Sequence, residues 1–317
     1  MKVLVTGGAG FIGSNFVRMA IGGHFPDIER VTVLDNLSYA GNLENLKSVE
    51  NQIDFIKGDI LDSSLVQKLL SKVDTVINFA AESHVDRSIL NPKIFVETNI
   101  VGVQNFLDLM RLFPEKRFLQ VSTDEVYGSI ASGSWDETSP LQPNSPYSAT
   151  KASADLLVQS YYKTFRSNVV ITRCSNNYGP FQFPEKIIPS FVTRLLQNQK
   201  VGIYGDGSHK RDWLHVDDHC RGIYAAAVRG DSGEIYNLGG GTELSNNELT
   251  ERILKLTEAS DSLVEFVKDR LGHDLRYSVN WSKSERYLGY SPQVEFDLGL
   301  SETVDWYKTN PKWWGKA

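Results

Sequence analysis

Two pairs of side chains in this 317-residue sequence have the types and spacing to move protons. Tyr147 and Lys151 stand at i and i+4, so on a helix they share one face and can meet one ligand. Pro146 suits the first turn of such a helix, and Ser145 suits its cap. An ammonium about 4 Å from a phenol oxygen favours the phenolate by about 4 kcal/mol at an effective dielectric of about 20, which is roughly three units of pKa. A tyrosine so placed takes a proton from an alcohol near neutral pH while an acceptor removes hydride from the same carbon. The second pair is Asp124-Glu125, directly after Ser122-Thr123. Neighbours in a regular strand face opposite ways, so both acids reach one substrate only if the strand breaks at Thr123, and that break is expected. A protonated Asp beside an ionised Glu supplies one acid and one base, the division that water elimination needs.

A glycine run says what those groups stand beside. Lys2–Thr6 reads as a strand running into Gly7-Gly8-Ala9-Gly10-Phe11-Ile12-Gly13. Gly7 allows the tight turn, Gly10 lets the backbone approach a pyrophosphate, and Gly13 lets the helix lie close on the strand. The helix N-terminus is thereby aimed at negative charge. Asp35 closes the second strand at the spacing such a cradle requires. A carboxylate there binds a ribose 2′-hydroxyl and repels a 2′-phosphate, and no Arg occurs in the ten residues after Asp35. NAD rather than NADP is the expected cofactor. Asp59-Ile60 follows the third strand, where Asp59 either receives an adenine amino group or caps the next helix. Phe79-Ala80-Ala81-Glu82-Ser83 ends the fourth strand with small residues that suit a flat dinucleotide or plain packing.

The elements that position these groups are legible in the hydropathy pattern. Val3–Thr6, Val31–Asp35, Ile53–Ile56, Thr75–Phe79, Phe118–Ser122 and Val169–Thr172 read as buried strands. They alternate with amphipathic stretches such as Ile100–Phe113 and Ala152–Phe165. That rhythm means a parallel sheet covered by helices on both faces. The expected fold is α/β, a Rossmann-type doubly wound sheet with a smaller, interleaved C-terminal domain. Residues 1–175, with 212–240 returning to them, form the first unit, and 176–211 with 241–317 the second. Net charge is −6, without a Lys/Arg run, which argues against nucleic acid or an anionic membrane as partner. No segment approaches the length of a membrane span or a signal peptide, so a cytoplasmic protein is expected. Cys174 and Cys220 lack a CxxC spacing and read as reduced, buried thiols.

The glycine cradle, Ala80-Ala81-Glu82-Ser83-His84-Val85-Asp86-Arg87-Ser88, Thr123-Asp124-Glu125-Val126-Tyr127-Gly128 and the Tyr147/Lys151 pair together resemble the extended short-chain dehydrogenase/reductase family. Within it the likeness is to the dTDP-glucose 4,6-dehydratases. It continues through Ser175-Asn176-Asn177-Tyr178-Gly179-Pro180, Phe183-Pro184-Glu185-Lys186, Lys210-Arg211-Asp212-Trp213 and Gly272-His273-Asp274. The resemblance implies that Tyr147 removes the C4 hydroxyl proton of a glucosyl unit while Thr123 hydrogen-bonds the developing carbonyl. It further implies that Glu125 takes the C5 proton and Asp124 protonates the departing C6 hydroxyl, giving dTDP-4-keto-6-deoxyglucose from dTDP-glucose. Cofactor contacts are implied at Gly7, Gly10, Phe11, Ile12, Gly13, Asp35, Asn36, Asp59, Ile60, Phe79, Ala80, Ala81, Ser83, Thr98, Tyr147, Lys151 and Asn177. Substrate contacts are implied at Ser83, His84, Thr123, Asn176, Lys186, Arg211, Asn246, Arg270 and His273, and a homodimer is the implied assembly. Leu271 stands where the family usually has Pro in an Arg-Pro-Gly-His run, and Gly202 stands where Pro often precedes Ile-Tyr.

Three other readings are weaker. His215 and His219 stand four apart amid acids, but the segment resembles a structural run of the family, and no metal is expected there. Trp313-Trp314 is expected to pack on the smaller domain. A non-catalytic NAD-binding scaffold on the same fold would tend to lose the Tyr or the Lys, and both are present. The nearer alternatives are a 4-epimerase and a 4,6-dehydratase of another nucleotide sugar.

Overall fold

The computed structural model describes residues 1–315. Seven strands form one parallel sheet: β1 (Lys2–Thr6), β2 (Arg30–Asp35), β3 (Asp54–Lys57), β4 (Thr75–Asn78), β5 (Arg117–Thr123), β6 (Val169–Cys174) and, later in the chain, Ile235–Leu238. The last of these pairs with β6 at the sheet edge, so the order is Ile235–Leu238, β6, β5, β4, β1, β2, β3. Successive side chains of a strand face opposite ways. Val3 and Val5 of β1 accordingly enter one apolar layer with Phe16, Cys220 and Ile223. Leu4 enters the other, with Val66, Phe106 and Val158. Burial on both faces is why these strands read as unbroken apolar runs.

The rest of the chain builds a smaller unit with its own core, in which Ile188, Val192, Trp213, Leu249 and Leu300 pack together. Its strands are β7 (Asn176–Tyr178), β8 (Val201–Tyr204), β9 (Lys210–His215), β11 (Glu243–Ser245) and β12 (Val264–Val267), Ile235–Leu238 being β10. β11, β9 and β7 form a three-stranded sheet, and β12 pairs with β8. Trp213 thus belongs to the small sheet, and the chain rejoins the large unit with the helix Val216–Arg229, which packs on the helix Phe11–Ile21. Trp313 and Trp314 pack on the smaller core, and the Trp313 indole also donates to Asn45 Oδ1 at 2.9 Å. Among the described residues no helix is long and apolar enough to cross a membrane.

Candidate active site

The glycine turn leaves β1 with Gly7 at φ +65°, a conformation that L side chains rarely adopt. A Cβ on Gly7 would lie 2.7 Å from Ala80 N, and one on Gly13 would lie 2.4 Å from Gly7 O. The following helix begins at Phe11 with Gly10 as its cap and no side chain bonded to its first amides. Those amides are free donors at the positive end of the helix dipole. Beside them the Asp35 carboxylate accepts from Ala9 N at 2.9 Å and Leu37 N at 2.8 Å. Burial nevertheless raises its pKa above the ordinary carboxylate value. Asp59 accepts from Leu61 N at 2.9 Å and from Asn36 Nδ2 at 3.0 Å. It is Asp62 that caps the next helix, through Ser64 N and Leu65 N. Asp59 therefore ties the end of β2 to the end of β3, at the rim of the same cleft.

β5 does stop at Thr123. Asp124–Tyr127 forms a short turn of 3-10 helix, capped by Thr123 Oγ1 accepting from Glu125 N at 3.3 Å. The turn ends the alternation of the strand, so both acids line the cleft together with Thr123. Their electrostatic settings differ. Asp124 is 3% exposed, one of its carboxylate oxygens has no partner, and its pKa stands well above the usual range. Burial is the main cause, with Glu125 and Asp212 adding repulsion. Glu125 is also raised by burial, but Lys186, Arg270 and Arg211 pull it back down.

Tyr147 and Lys151 lie on one face of the helix Pro146–Phe165, which starts with a Ser145–Ser148 capping box. Both are buried and line the cleft. The lowering of the Tyr147 phenol by Lys151 expected from spacing alone does not operate here. Burial, and after it the Glu125 charge, holds the phenol well above its usual pKa, and a hydrogen bond with Thr123 offsets part of this. Lys151 spends its ammonium on Val121 O at 2.7 Å. Burial lowers its own pKa, against the pull of Asp155 one turn along the helix.

The whole predicted cofactor set from Gly7 to Asn177 lines this one cleft, as do Ser83, Asn176 and Lys186. The Lys186 ammonium donates to Ser83 O at 2.8 Å. His84, Arg211, Asn246, Arg270 and His273 are not among its lining residues. His84 caps the helix Val85–Leu90 by accepting from Arg87 N. Arg211 donates to Asp274 O at 2.9 Å and lies over the Tyr277 ring. Asn246 opens the helix Asn246–Thr257. Arg270 sits 3.9 Å from Asp86, and the His273 imidazole is pushed down to about 4 by burial.

A family model described as GDP-mannose 4,6 dehydratase matches residues 4–303. A dTDP-glucose 4,6-dehydratase of Actinoplanes sp. is 54% identical over 99% of this chain and 100% of its own length. The chain belongs to the dTDP-glucose 4,6-dehydratase family. The crystal structure of DesIV, the dTDP-glucose 4,6-dehydratase of Streptomyces venezuelae with NAD and TYD bound, matches with a TM-score of 0.98 at 53% identity. It covers 100% of this chain and 99% of its own. The Bacillus anthracis dTDP-glucose 4,6-dehydratase, in complex with NAD, matches with a TM-score of 0.93 at 44% identity, covering 100% and 99%.

Sequence reasoning missed several parts of this member's cleft. Glu185 lines the cleft, and Tyr39, beside the lining residues Ser38 and Ala40, donates its phenol proton to Glu185 Oε1 at 3.0 Å. Arg87 lies 3.5 Å over the Tyr39 ring and Phe183 meets its edge. Gly41 is a second omission: a Cβ there would lie 2.8 Å from Asp35 Oδ1. The glycine of Tyr39-Ala40-Gly41, so soon after Asp35, was the available signal. The clasp had none, because Tyr39 and Glu185 are far apart in the chain.

Proposed function

We propose that this protein is an NAD-dependent dTDP-glucose 4,6-dehydratase, a hydro-lyase that converts dTDP-glucose to dTDP-4-keto-6-deoxyglucose. The observation that carries the proposal is an acid pair with divergent surroundings, Asp124 and Glu125, in one buried cleft with Tyr147. The cradle at Gly7 and Gly13, too tight for any Cβ, and the Asp35 carboxylate fit the diphosphate and ribose of NAD. When bound, NAD accepts a hydride from the sugar and later returns it, and its oxidised ring brings positive charge to the site.

The chain's own groups move the protons. Tyr147 takes the C4 hydroxyl proton, and the Thr123 hydroxyl donates to the C4 oxygen as it becomes a carbonyl. The 4-ketone acidifies C5. Glu125, kept ionisable by Lys186, Arg270 and Arg211, takes the C5 proton. Asp124, kept protonated by burial and by its acidic neighbours, gives its proton to the C6 hydroxyl, which leaves as water as the C5–C6 double bond forms. The Glu125 carboxyl then exchanges its proton with solvent and protonates C5 as C6 is reduced. Lys186, Arg211 and Arg270 supply cations for the diphosphate, with Ser83, His84, Asn176, Asn246 and His273 as polar partners. In this reading residues 1–175 with 216–240 hold the cofactor, the boundary moving from 212 because β9 runs in the small sheet through His215, and 176–215 with 241–317 hold the nucleotide sugar.

A 4-epimerase has no water to expel, and a buried carboxyl with an unpartnered oxygen such as Asp124 would cost it stability without return. Incubation with dTDP-glucose in deuterated solvent tests the proposal. Deuterium at C5 and a 6-deoxy ketosugar product are expected, whereas a 4-epimer without exchange overturns it. Parallel incubations with other nucleotide-glucoses test the base.

The proposal includes a homodimer formed through helices of the cofactor-binding half. Leu90, Ile94, Val101, Leu156 and Phe165 are exposed there on helical segments that pack beside or belong to Pro146–Phe165. Light scattering on the wild type and on Leu156→Glu tests it, and a monomeric wild type removes it. Cytoplasmic residence belongs to the same proposal, since Cys174 and Cys220 are buried free thiols.

A further inference from the structure

We propose that Tyr39 and Glu185 couple the two ligands of this site. Their hydrogen bond joins the loop around Asp35 to the loop that carries Lys186, so that bound NAD tightens the hold on a nucleotide diphosphate and the diphosphate tightens the hold on NAD. The inference rests on the functional reading above, in which Asp35 meets NAD and Lys186 meets the diphosphate of the nucleotide sugar.

The first loop is fastened at both ends to parts of the cofactor cradle. At its start the Asp35 carboxylate accepts from Leu37 N at 2.8 Å. At its end Asn42 N donates to Ala9 O at 3.0 Å, and the Asn45 side chain donates to the same carbonyl at 2.9 Å. Between these points Gly41 N donates to Ser38 O at 2.9 Å, which sets Tyr39 at the tip of a tight turn. Ser38, Ala40 and Gly41, on either side of Tyr39, line the cleft.

The second loop is also tied down. Glu185 N donates to Phe183 O at 2.8 Å. The next residue, Lys186, caps the helix Ile187–Leu196 and donates its ammonium to Ser83 O at 2.8 Å. Burial lowers the Lys186 pKa, and the charge of Glu185 is the leading influence against it. A displacement of Glu185 is therefore felt at Lys186.

The Tyr39 ring is seated independently of its hydroxyl. Arg87 lies 3.5 Å over the ring, and Phe183 meets its edge with centroids 5.8 Å apart. Burial, followed by the charges of Glu185 and Glu82, holds the phenol far above its ordinary pKa, so it remains a hydrogen-bond donor at neutral pH. One ligand alters the affinity of another only through interactions or order that differ with its presence. A cofactor packed against Ser38, Ala40 and Gly41 removes motion from the turn, and through the Tyr39–Glu185 bond it lessens the entropy that Lys186 loses when a diphosphate binds. Linkage requires the same factor in the reverse direction.

The probe for the test is dTDP. It is titrated calorimetrically into the full-length protein freed of NAD and into the same protein resaturated with NAD. In the wild type NAD should tighten dTDP binding by at least about fivefold. In Tyr39→Phe, which keeps the stacked ring and loses only the hydroxyl, that ratio should fall toward one. Glu185→Leu should lower the ratio equally, and the double variant no further. The holoenzyme supplies a second readout: dTDP should slow the release of NAD on dialysis more in the wild type than in Tyr39→Phe. Equal ratios, or equal slowing, in the wild type and in Tyr39→Phe of matching circular dichroism overturn the coupling. A wild type that binds no dTDP in either state removes instead the functional reading, and the coupling with it.

Discussion

Asp124 and Glu125 are chain neighbours whose carboxyls meet opposite surroundings: acids reinforce burial at the first, and three cations oppose it at the second. Catalysis in the proposed order needs Asp124 protonated and Glu125 ionised. Turnover should therefore fall as pH drops through the Glu125 pKa and fall again as pH rises through the raised Asp124 pKa. The pH profile of kcat in the wild type, Asp124→Asn and Glu125→Gln checks this. Loss of Asp124 should remove the basic limb, and persistence of that limb would assign it elsewhere.

The same burial predicts a stability effect. A carboxyl whose folded pKa is raised favours folding only while protonated, so its contribution becomes unfavourable as pH rises above the unfolded value. Asp124→Asn should stabilise the protein by about 1–3 kcal/mol near neutral pH and by little in acid. Melting curves at the two pH values measure the difference.

Glu125→Gln should still allow formation of reduced cofactor from dTDP-glucose but stall at elimination. Near-ultraviolet absorbance of the reduced nicotinamide should build up, with no deuterium at C5. Tyr147→Phe should instead slow the first oxidation by about 10²–10⁴, so that almost no reduced cofactor forms in a single turnover.

Gly13→Ala should abolish cofactor retention, because its Cβ would sit 2.4 Å from Gly7 O and must push the helix off the strand. Nicotinamide released on denaturing the purified variant measures this. A normal content would show that the turn adapts.

Arg173 and Asp155 form an ion pair at 2.8 Å with side chains 1% and 0% exposed. Asp155→Ala leaves a guanidinium buried without its partner and should cost about 3–5 kcal/mol. Chemical denaturation measures it. Asp155 also acts on the charge of Lys151 from the same helix, so any folded variant should show an altered pH profile for cofactor reduction.

Local chemistry and periodicity sufficed for much of this protein. The glycine turn, the break at Thr123 and the cap at Ser145 depend on residues close in the chain, and so they are written in it. The parallel sheet was legible for a related reason, since strands covered on both faces must be apolar throughout. Tertiary structure alone decided the rest, because the forces concerned act between distant segments. It made Asp124 and Glu125 electrostatically unlike by setting Asp212 near one and Lys186 and Arg270 around the other, with Arg211 acting on both. It turned Lys151 toward Val121 O rather than leaving the phenol as its only partner. It also joined Tyr39 to Glu185 beside the cleft and stacked His209 on His273. Desolvation and Coulomb energy depend on what surrounds a group in space, and spacing along a chain carries no record of that.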